Sequence, residues 1–189
     1  LSFYDAAAPI VYADSLDYDV VFGQSRYEEG AGDYLNAPFN KEEYEAFAQE
    51  LIDARCVIKK EFESSDLFQA CQPIEEIARK GFDAPRFGPL KPVGLVDPRT
   101  QKRPWAVVQL RAEGRDKQCY NLVGFQTNLA FPEQERVFRM IPGLEQAQFA
   151  RYGVMHRNTF INAPELLNCH LELQSAASRA LPVRLYVAG

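Results

Sequence analysis

The sequence predicts a mixed α/β fold of the α+β type, in which a largely antiparallel sheet packs against helices. Apolar residues recur at helical spacing along one face of segment 41–54, so we expect an amphipathic helix there. Two strand-like segments, 105–111 and 118–125, flank the turn-forming residues 113–116, a pattern typical of a hairpin. With 189 residues, 47% of them hydrophobic and 25% charged, the chain can bury the core of one large or two small domains.

The first forty residues favour strands followed by irregular structure. Aromatic and β-branched residues surround Pro9 in segment 2–12, which predicts one or two strands broken by a loop. Segment 14–40 is rich in Asp, Gly, Ser and Asn and predicts an irregular surface stretch. Asn40 is placed to cap the predicted helix 41–54, with Glu43 placed to bond back to it.

The rest of the chain alternates short strands and short helices. A helix is expected to begin at Pro73 and to end at Gly81, because proline suits a first helical position and glycine a helix end. Five prolines in segment 84–104 predict an extended, largely loop structure. The remaining predicted elements are a helix over 132–140 and strands over 56–62, 67–70, 149–152 and 183–189.

Composition excludes several classes of protein. No apolar run approaches the roughly eighteen residues of a membrane span, and the N-terminus lacks the layout of a signal peptide, so we expect a soluble, cytoplasmic protein. The four cysteines occur without a CxxC pair, which favours a reducing compartment and predicts neither a metal site nor a disulfide framework.

Charge is distributed unevenly along the chain. Residues 1–66 carry 15 acidic and 5 basic residues (5 − 15 = −10), whereas residues 79–117 carry 10 basic and 4 acidic ones (10 − 4 = +6). Basic side chains of the second segment are candidates for RNA phosphate contacts, and Phe82, Phe87 and Trp105 for base stacking. A solvated surface is an equally good interpretation. The candidate RNA-binding residues are Lys91, Arg99, Lys102 and Arg103.

Cys71 is the first candidate for chemistry. It directly precedes the predicted helix start at Pro73, where unpaired backbone N–H groups favour a thiolate. This effect is about 0.3–1 kcal/mol, or less than about one pKa unit, so a buried structural cysteine is the competing interpretation. The structural interpretation suits the other three cysteines better, namely Cys56, Cys119 and Cys169.

A second candidate lies in segment 151–160. His156, Arg157 and Asn158 bring an imidazole, a guanidinium and an amide together between apolar flanks, a combination that can hold a planar polar heterocycle. A hydrogen-bonded loop is the alternative. His170 has no comparable neighbours and is expected at the surface.

Five segments closely resemble the TrmFO family of folate- and flavin-dependent tRNA (uracil-5-)-methyltransferases, which are GidA-related flavoproteins. The segments are 3–11 (FYDAAAPIV), 68–75 (FQACQPIE), 87–95 (FGPLKPVGL), 120–127 (YNLVGFQT) and 151–160 (RYGVMHRNTF). The resemblance runs from about residue 2 to 165 and resumes at 185–189.

The resemblance implies an enzyme that forms 5-methyluridine at position 54 of the tRNA T-loop. Methylenetetrahydrofolate would supply the carbon, and FAD with NAD(P)H would reduce it. Cys71 would be catalytic, and His156, Arg157 and Asn158 would bind folate. The fold implied is an insertion domain, 21–150, within an FAD-binding flavoprotein whose FAD-binding domain contributes segments 1–20 and 151–189.

The sequence also predicts an internal segment of a longer protein. It begins at Leu1 inside a strand-like run and has no GxGxxG motif, so we expect the isolated chain to bind no FAD tightly and to be inactive, with its two ends close together. Two other functions stay open: a non-catalytic RNA-binding module, and a GidA-type protein that modifies the tRNA wobble uridine. The segments around Cys71 and His156 favour TrmFO over the latter.

Overall fold

The computed structural model describes residues 2–26, 34–57, 72–159, 162–173 and 186. Its strands are β1 (Ser2–Ala7), β2 (Ile10–Tyr12), β3 (Phe22–Gly23), β4 (Tyr34–Phe39), β5 (Ala106–Glu113), β6 (Cys119–Leu122), β7 (Phe149–Arg151) and β8 (Val154–Thr159). Its helices are α1 (Lys41–Asp53), α2 (Ile74–Lys80), α3 (Ala84–Phe87), α4 (Phe131–Phe138) and α5 (Ala163–Leu166). The chain divides into two compact units, one of Tyr4–His156 and one of Leu1–Phe3 with Arg157–Gly189.

A six-stranded antiparallel sheet forms the body of the larger unit. Its strand order is β3-β4-β5-β6-β2-β7, which confirms the predicted fold class. The predicted hairpin is β5–β6, in register from Leu110↔Leu122 to Glu113↔Cys119. Its turn contains Gly114 at φ +75°, a conformation that glycine adopts without steric strain.

Helix α1 confirms the clearest sequence prediction. Asn40 Oδ1 accepts a hydrogen bond from the Glu43 N–H, and the Glu43 carboxylate accepts one from the Asn40 N–H, both at 2.8 Å. Tyr44, Phe47, Ala48 and Leu51 on the apolar face of α1 are buried, with the Phe47 ring 5.1 Å from that of Phe39 on β4 and 6.3 Å from that of Phe125. Periodicity and capping together therefore located this helix to within one residue.

The prediction of an irregular surface stretch over 14–40 is wrong for its last part. Strand β4 pairs with both β3 and β5, and Ala37 and Phe39 are buried. The sequence does not indicate this strand, because it contains Asn36 and Pro38 and both residue types are rare in sheets. Asn36 Nδ2 donates to Phe22 O (3.1 Å), and Pro38 pairs with Val107, whose N–H donates to Leu90 O rather than to β4.

The proline-rich segment 84–104 is more compact than predicted. Its first residues form α3. Pro85 lies in the first turn of this helix, where a backbone N–H would have no acceptor within the helix, so the missing N–H of proline costs no hydrogen bond. Turns follow in place of extended chain, including a hydrogen bond from the Leu95 N–H to Pro92 O and one from the Asp97 N–H to Lys102 O. Helix α2, by contrast, ends before Gly81 as expected and begins one residue after Pro73.

Most other predicted elements are present. Strands β1 and β2, helix α4 and strand β7 confirm the predictions for 2–12, 132–140 and 149–152 within two residues. Strands β1 and β8 form a separate two-stranded sheet. The strands predicted for 56–62, 67–70 and 183–189 lie outside the described residues apart from Cys56, Val57 and Tyr186, as do both chain ends.

In the smaller unit, α5 is followed by a turn organised by Asn168. Its Oδ1 accepts hydrogen bonds from the N–H groups of His170 (2.9 Å) and Glu172 (3.0 Å). His170 is exposed, as expected. Cys169 is exposed as well, because it lies in this turn, so its interpretation as a core residue is wrong.

Within the described residues, no helix combines the length and the apolarity that crossing a membrane requires. The same part of the chain contains no group of three or more His, Cys, Asp or Glu side chains arranged to hold a metal ion.

Candidate functional site

The predicted catalytic and folate-binding residues differ in how much the structure says of them. Cys71 lies outside the described residues. The chain just after it is anchored, since the Ile74 N–H donates to Gln126 O at 2.8 Å. His156, Arg157 and Asn158 lie on strand β8, of which the structure describes the backbone course.

Glu75 anchors the first turn of α2 through a buried carboxyl group. Its side chain is fully buried and accepts hydrogen bonds from the Asn128 N–H (2.7 Å) and from the Thr127 hydroxyl (2.9 Å). Burial raises the pKa of this carboxyl, because the charged form is poorly solvated there, and the hydrogen bonds offset only part of the effect. The chain that follows Cys71 is therefore bound to the loop between β6 and α4.

Gln134 fastens the entry to β8 to the same loop. Its Nε2 donates to Leu129 O and to Gly153 O, and its Oε1 accepts from the Gly153 N–H, each at 2.8 Å. Sequence reasoning missed Glu75, Thr127 and Gln134. The available signal was weak: Glu75 and Gln134 are polar residues on short helices, and nothing local to them indicates burial.

A small cleft lies where these elements meet, and we call it the Phe131 cleft. Its volume is about 130 Å³. The lining residues are Val57, Thr127, Asn128, Leu129, Phe131, Gly153 and Val154. Three rings stack beside it: Phe131 on Tyr152 with 4.7 Å between centroids, and Tyr152 on Phe149 with 5.3 Å.

A second, larger cleft gathers three of the four predicted RNA-binding residues. Arg99, Lys102 and Arg103 line it together with Lys41, Trp105 and two acidic residues, Glu43 and Asp97; because its basic residues outnumber the acidic ones, we call it the basic cleft, and its volume is about 360 Å³. Lys91, the fourth predicted residue, is not among its lining residues and is half-buried.

The basic side chains of this cleft are not equivalent. Arg99 is bound to Asp97 by two side-chain hydrogen bonds of 3.1 and 2.9 Å. Burial alone would raise the pKa of Asp97, but the hydrogen bonds and charge of Arg99 outweigh it and lower that pKa. Lys102 and Arg103 form no side-chain hydrogen bond or ion pair with any residue that the structure describes. They are the cations best able to pair with an incoming anion.

The aromatic residues of the basic segment also differ. The Arg86 guanidinium lies 3.7 Å from the centroid of the Trp105 ring, and the Lys41 ammonium 5.7 Å from it. Phe82 packs edge-on against Tyr44 at 6.2 Å. Phe87 is 73% exposed, so it is the most accessible of the three for an unpaired base.

Similar proteins agree with the motifs in the sequence. The chain is 58% identical over 174 residues to the methylenetetrahydrofolate–tRNA-(uracil-5-)-methyltransferase TrmFO of Caldicellulosiruptor bescii, covering 92% of this chain and 40% of that protein. It is 62% identical over 165 residues to the TrmFO of Heliobacterium modesticaldum, covering 87% and 38%. These identities confirm the resemblance to TrmFO proteins, and the chain spans about two fifths of the length of these curated relatives.

A solved structure agrees at the level of the fold. GidA of Aquifex aeolicus superposes with a TM-score of 0.53 over 92% of this chain and 29% of that one, at 16% sequence identity. The family model described as glucose inhibited division protein A matches residues 1–189. The chain therefore belongs to the glucose inhibited division protein A family.

Proposed function

We propose that this chain is part of a folate- and FAD-dependent tRNA (uracil-5-)-methyltransferase that forms 5-methyluridine at position 54 of the T-loop. The observation that carries the proposal is the identity of 57–62% to TrmFO proteins over about nine tenths of the chain. The GidA-type wobble-uridine alternative is less favoured, since the GidA structure shares 16% identity and supports the fold alone.

The buried hydrogen bonds support a site in this region. Glu75 and Gln134 bind two separate segments, the chain after Cys71 and the entry to β8, to the single loop 126–130. Such a network fixes the relative position of the elements that lead to Cys71 and to His156. Preorganised positioning of this kind is what a bimolecular reaction on a large substrate requires.

Cys71 is the residue that we assign to the uracil. Uracil C5 becomes a nucleophile when a thiolate adds at C6, and Cys71, three residues before the first residue of α2 in the sequence, is the cysteine that we expect to supply that thiolate. His156 would hold the flat pterin ring of the folate, with Arg157 and Asn158 close enough in the chain to bond its edge.

The cofactors and the compartment complete the proposal. Methylenetetrahydrofolate supplies the carbon, and FAD with NAD(P)H supplies the reducing equivalents. This chain has no Gly-rich phosphate-binding turn, so the phosphates of FAD would be held by residues outside it. Segments 1–20 and 151–189 would belong to the FAD-binding domain and 21–150 to its insertion. A tRNA-modifying enzyme of this kind would act in the cytoplasm.

The test uses the full-length protein with undermethylated tRNA and labelled folate. Cys71→Ala should abolish methyl transfer while FAD content and tRNA affinity stay near wild type, and His156→Ala should mainly raise the folate concentration needed. Cys169→Ala is the matched control, because Cys169 is an exposed cysteine on a turn and is not one of the proposed site residues. Wild-type turnover in Cys71→Ala would make Cys71 structural and refute the assignment.

A further inference from the structure

We infer that the Phe131 cleft takes a single pyrimidine ring, the target base of the RNA, stacked on the Phe131 side chain. The inference rests on the proposed function and adds to it the place where the substrate base is held. Size, lining and ring geometry each contribute to it.

The volume of the cleft selects a one-ring ligand. A protein cavity of about 150 Å³ accommodates one benzene-sized ring, whereas pockets for drug-sized ligands measure about 300–1,000 Å³. At about 130 Å³, the Phe131 cleft matches a single six-membered ring. A two-ring pterin or a three-ring flavin exceeds it.

The lining favours the flat face of a base over a phosphate or a charged group. None of its residues carries a charge, and Val57, Leu129 and Val154 are aliphatic. The polar groups of Thr127 and Gly153 are already bonded inward, to Glu75 and to Gln134. A ring that enters the cleft would therefore be held chiefly by apolar contact and stacking.

Phe131 offers a stacking surface at the end of an existing stack. Its ring lies nearly parallel to that of Tyr152, with an interplanar angle of 14°, and it is still 47% exposed. Tyr152 is in turn stacked on Phe149 at 19°. Because two rings support it from one side, Phe131 is held in place for a base to stack on it.

The cleft also lies beside the anchored start of α2. Thr127 lines the cleft, and its hydroxyl donates a hydrogen bond to the Glu75 carboxyl group in the first turn of that helix. Ile74 is bonded to Gln126, the neighbour of Thr127, and Cys71 precedes Ile74 by three residues. A base in this cleft would therefore lie near the first turn of α2.

The experiment is a double-mutant cycle on the full-length protein, with equilibrium tRNA binding measured in the absence of folate. One tRNA carries the target uracil, and the other carries an abasic site at that position. We expect wild-type protein to prefer the intact tRNA by roughly 5- to 150-fold, the size of one base–aromatic stacking contact.

Three variants assign that preference to the ring of Phe131. Phe131→Leu keeps an apolar side chain but removes the planar face, so the preference should fall close to one. Phe131→Tyr keeps the ring and should retain the preference. Tyr12→Leu is the matched control, since Tyr12 is 44% exposed, against 47% for Phe131, and lines neither cleft.

A wild-type preference in Phe131→Leu would overturn the inference. A raised KM for folate with an unchanged base preference would also overturn it, because the cleft would then belong to the pterin. If the wild-type protein makes no 5-methyluridine but its base preference depends on Phe131, the inference holds and the proposed function fails. Methyl transfer with a preference that is independent of Phe131 means the reverse.

Discussion

At the scale of single residues, Gly153 shows how a missing side chain shapes the Phe131 cleft. A Cβ atom at this position would lie 2.5 Å from Thr127 Cγ2 and 2.9 Å from Ala7 O. Both backbone polar groups of Gly153 are bonded to Gln134, so the residue cannot move away freely. Close packing and hydrogen bonding thus require glycine at the same point.

We therefore expect Gly153→Ala to lower the free energy of unfolding by about 1–3 kcal/mol, the usual effect of overpacking a closely packed site. Gly23→Ala is the matched control, because a Cβ there meets nothing within 4 Å, and its effect should stay within about 0.5 kcal/mol. Urea unfolding of both variants measures the difference. Equal stability of the two would show that the loop at Thr127 yields to the added methyl group.

At the scale of elements, α1 is held at both of its ends. Asn40 and Glu43 form the capping box at the start. At the other end, the Arg79 guanidinium of α2 donates to Ile52 O (3.2 and 3.1 Å) and to Ala54 O (3.2 Å). A cation at this end also complements the helix dipole, so α2 closes α1 by charge as well as by hydrogen bonds.

Removal of the capping side chain should destabilise the protein through this helix. Asn40→Ala is expected to reduce the free energy of unfolding by about 1 kcal/mol, because the Glu43 N–H loses its acceptor. Glu43→Gln is the control, since glutamine can form the same reciprocal bond to the Asn40 N–H. A loss in Glu43→Gln as large as that in Asn40→Ala would indicate that charge, rather than capping, is what matters here.

At the scale of the whole molecule, the segregation of charge predicts how RNA binding should respond to salt. The structure gathers Arg99, Lys102 and Arg103 in the basic cleft, while Asp97 already neutralises Arg99. The net charge of −5 is therefore a poor guide to the surface that RNA would meet.

Replacing Lys91, Arg99, Lys102 and Arg103 with glutamine in the full-length protein should weaken tRNA binding and flatten its salt dependence. Each lost phosphate contact should reduce the slope of log K against log salt by roughly 0.7–0.9. Arg111→Gln is the control, because Arg111 is an exposed basic residue of the same segment and lines neither cleft. An unchanged slope in the quadruple variant would indicate that the basic cleft is an ordinary solvated surface that does not contact RNA phosphates.

The sequence by itself determined the elements whose signals are local. Spacing of apolar residues located α1, turn residues located the β5–β6 hairpin, and five short motifs indicated the TrmFO-like character of the chain. These signals can be recognised in the sequence because helix periodicity, capping and tight turns depend on residues only a few positions apart.

Only the tertiary structure decided the rest, because the partners involved are far apart in the chain. Asn36 and Pro38 argue against a strand, yet β4 lies inside the sheet between β3 and β5. Glu75 and Thr127 are 52 residues apart, and Gln134 and Gly153 are 19 residues apart. No local sequence pattern therefore predicts the buried hydrogen bonds between them. The Phe131 cleft is lined by residues from three separate segments, so it is a property of the packed chain and not of any one segment.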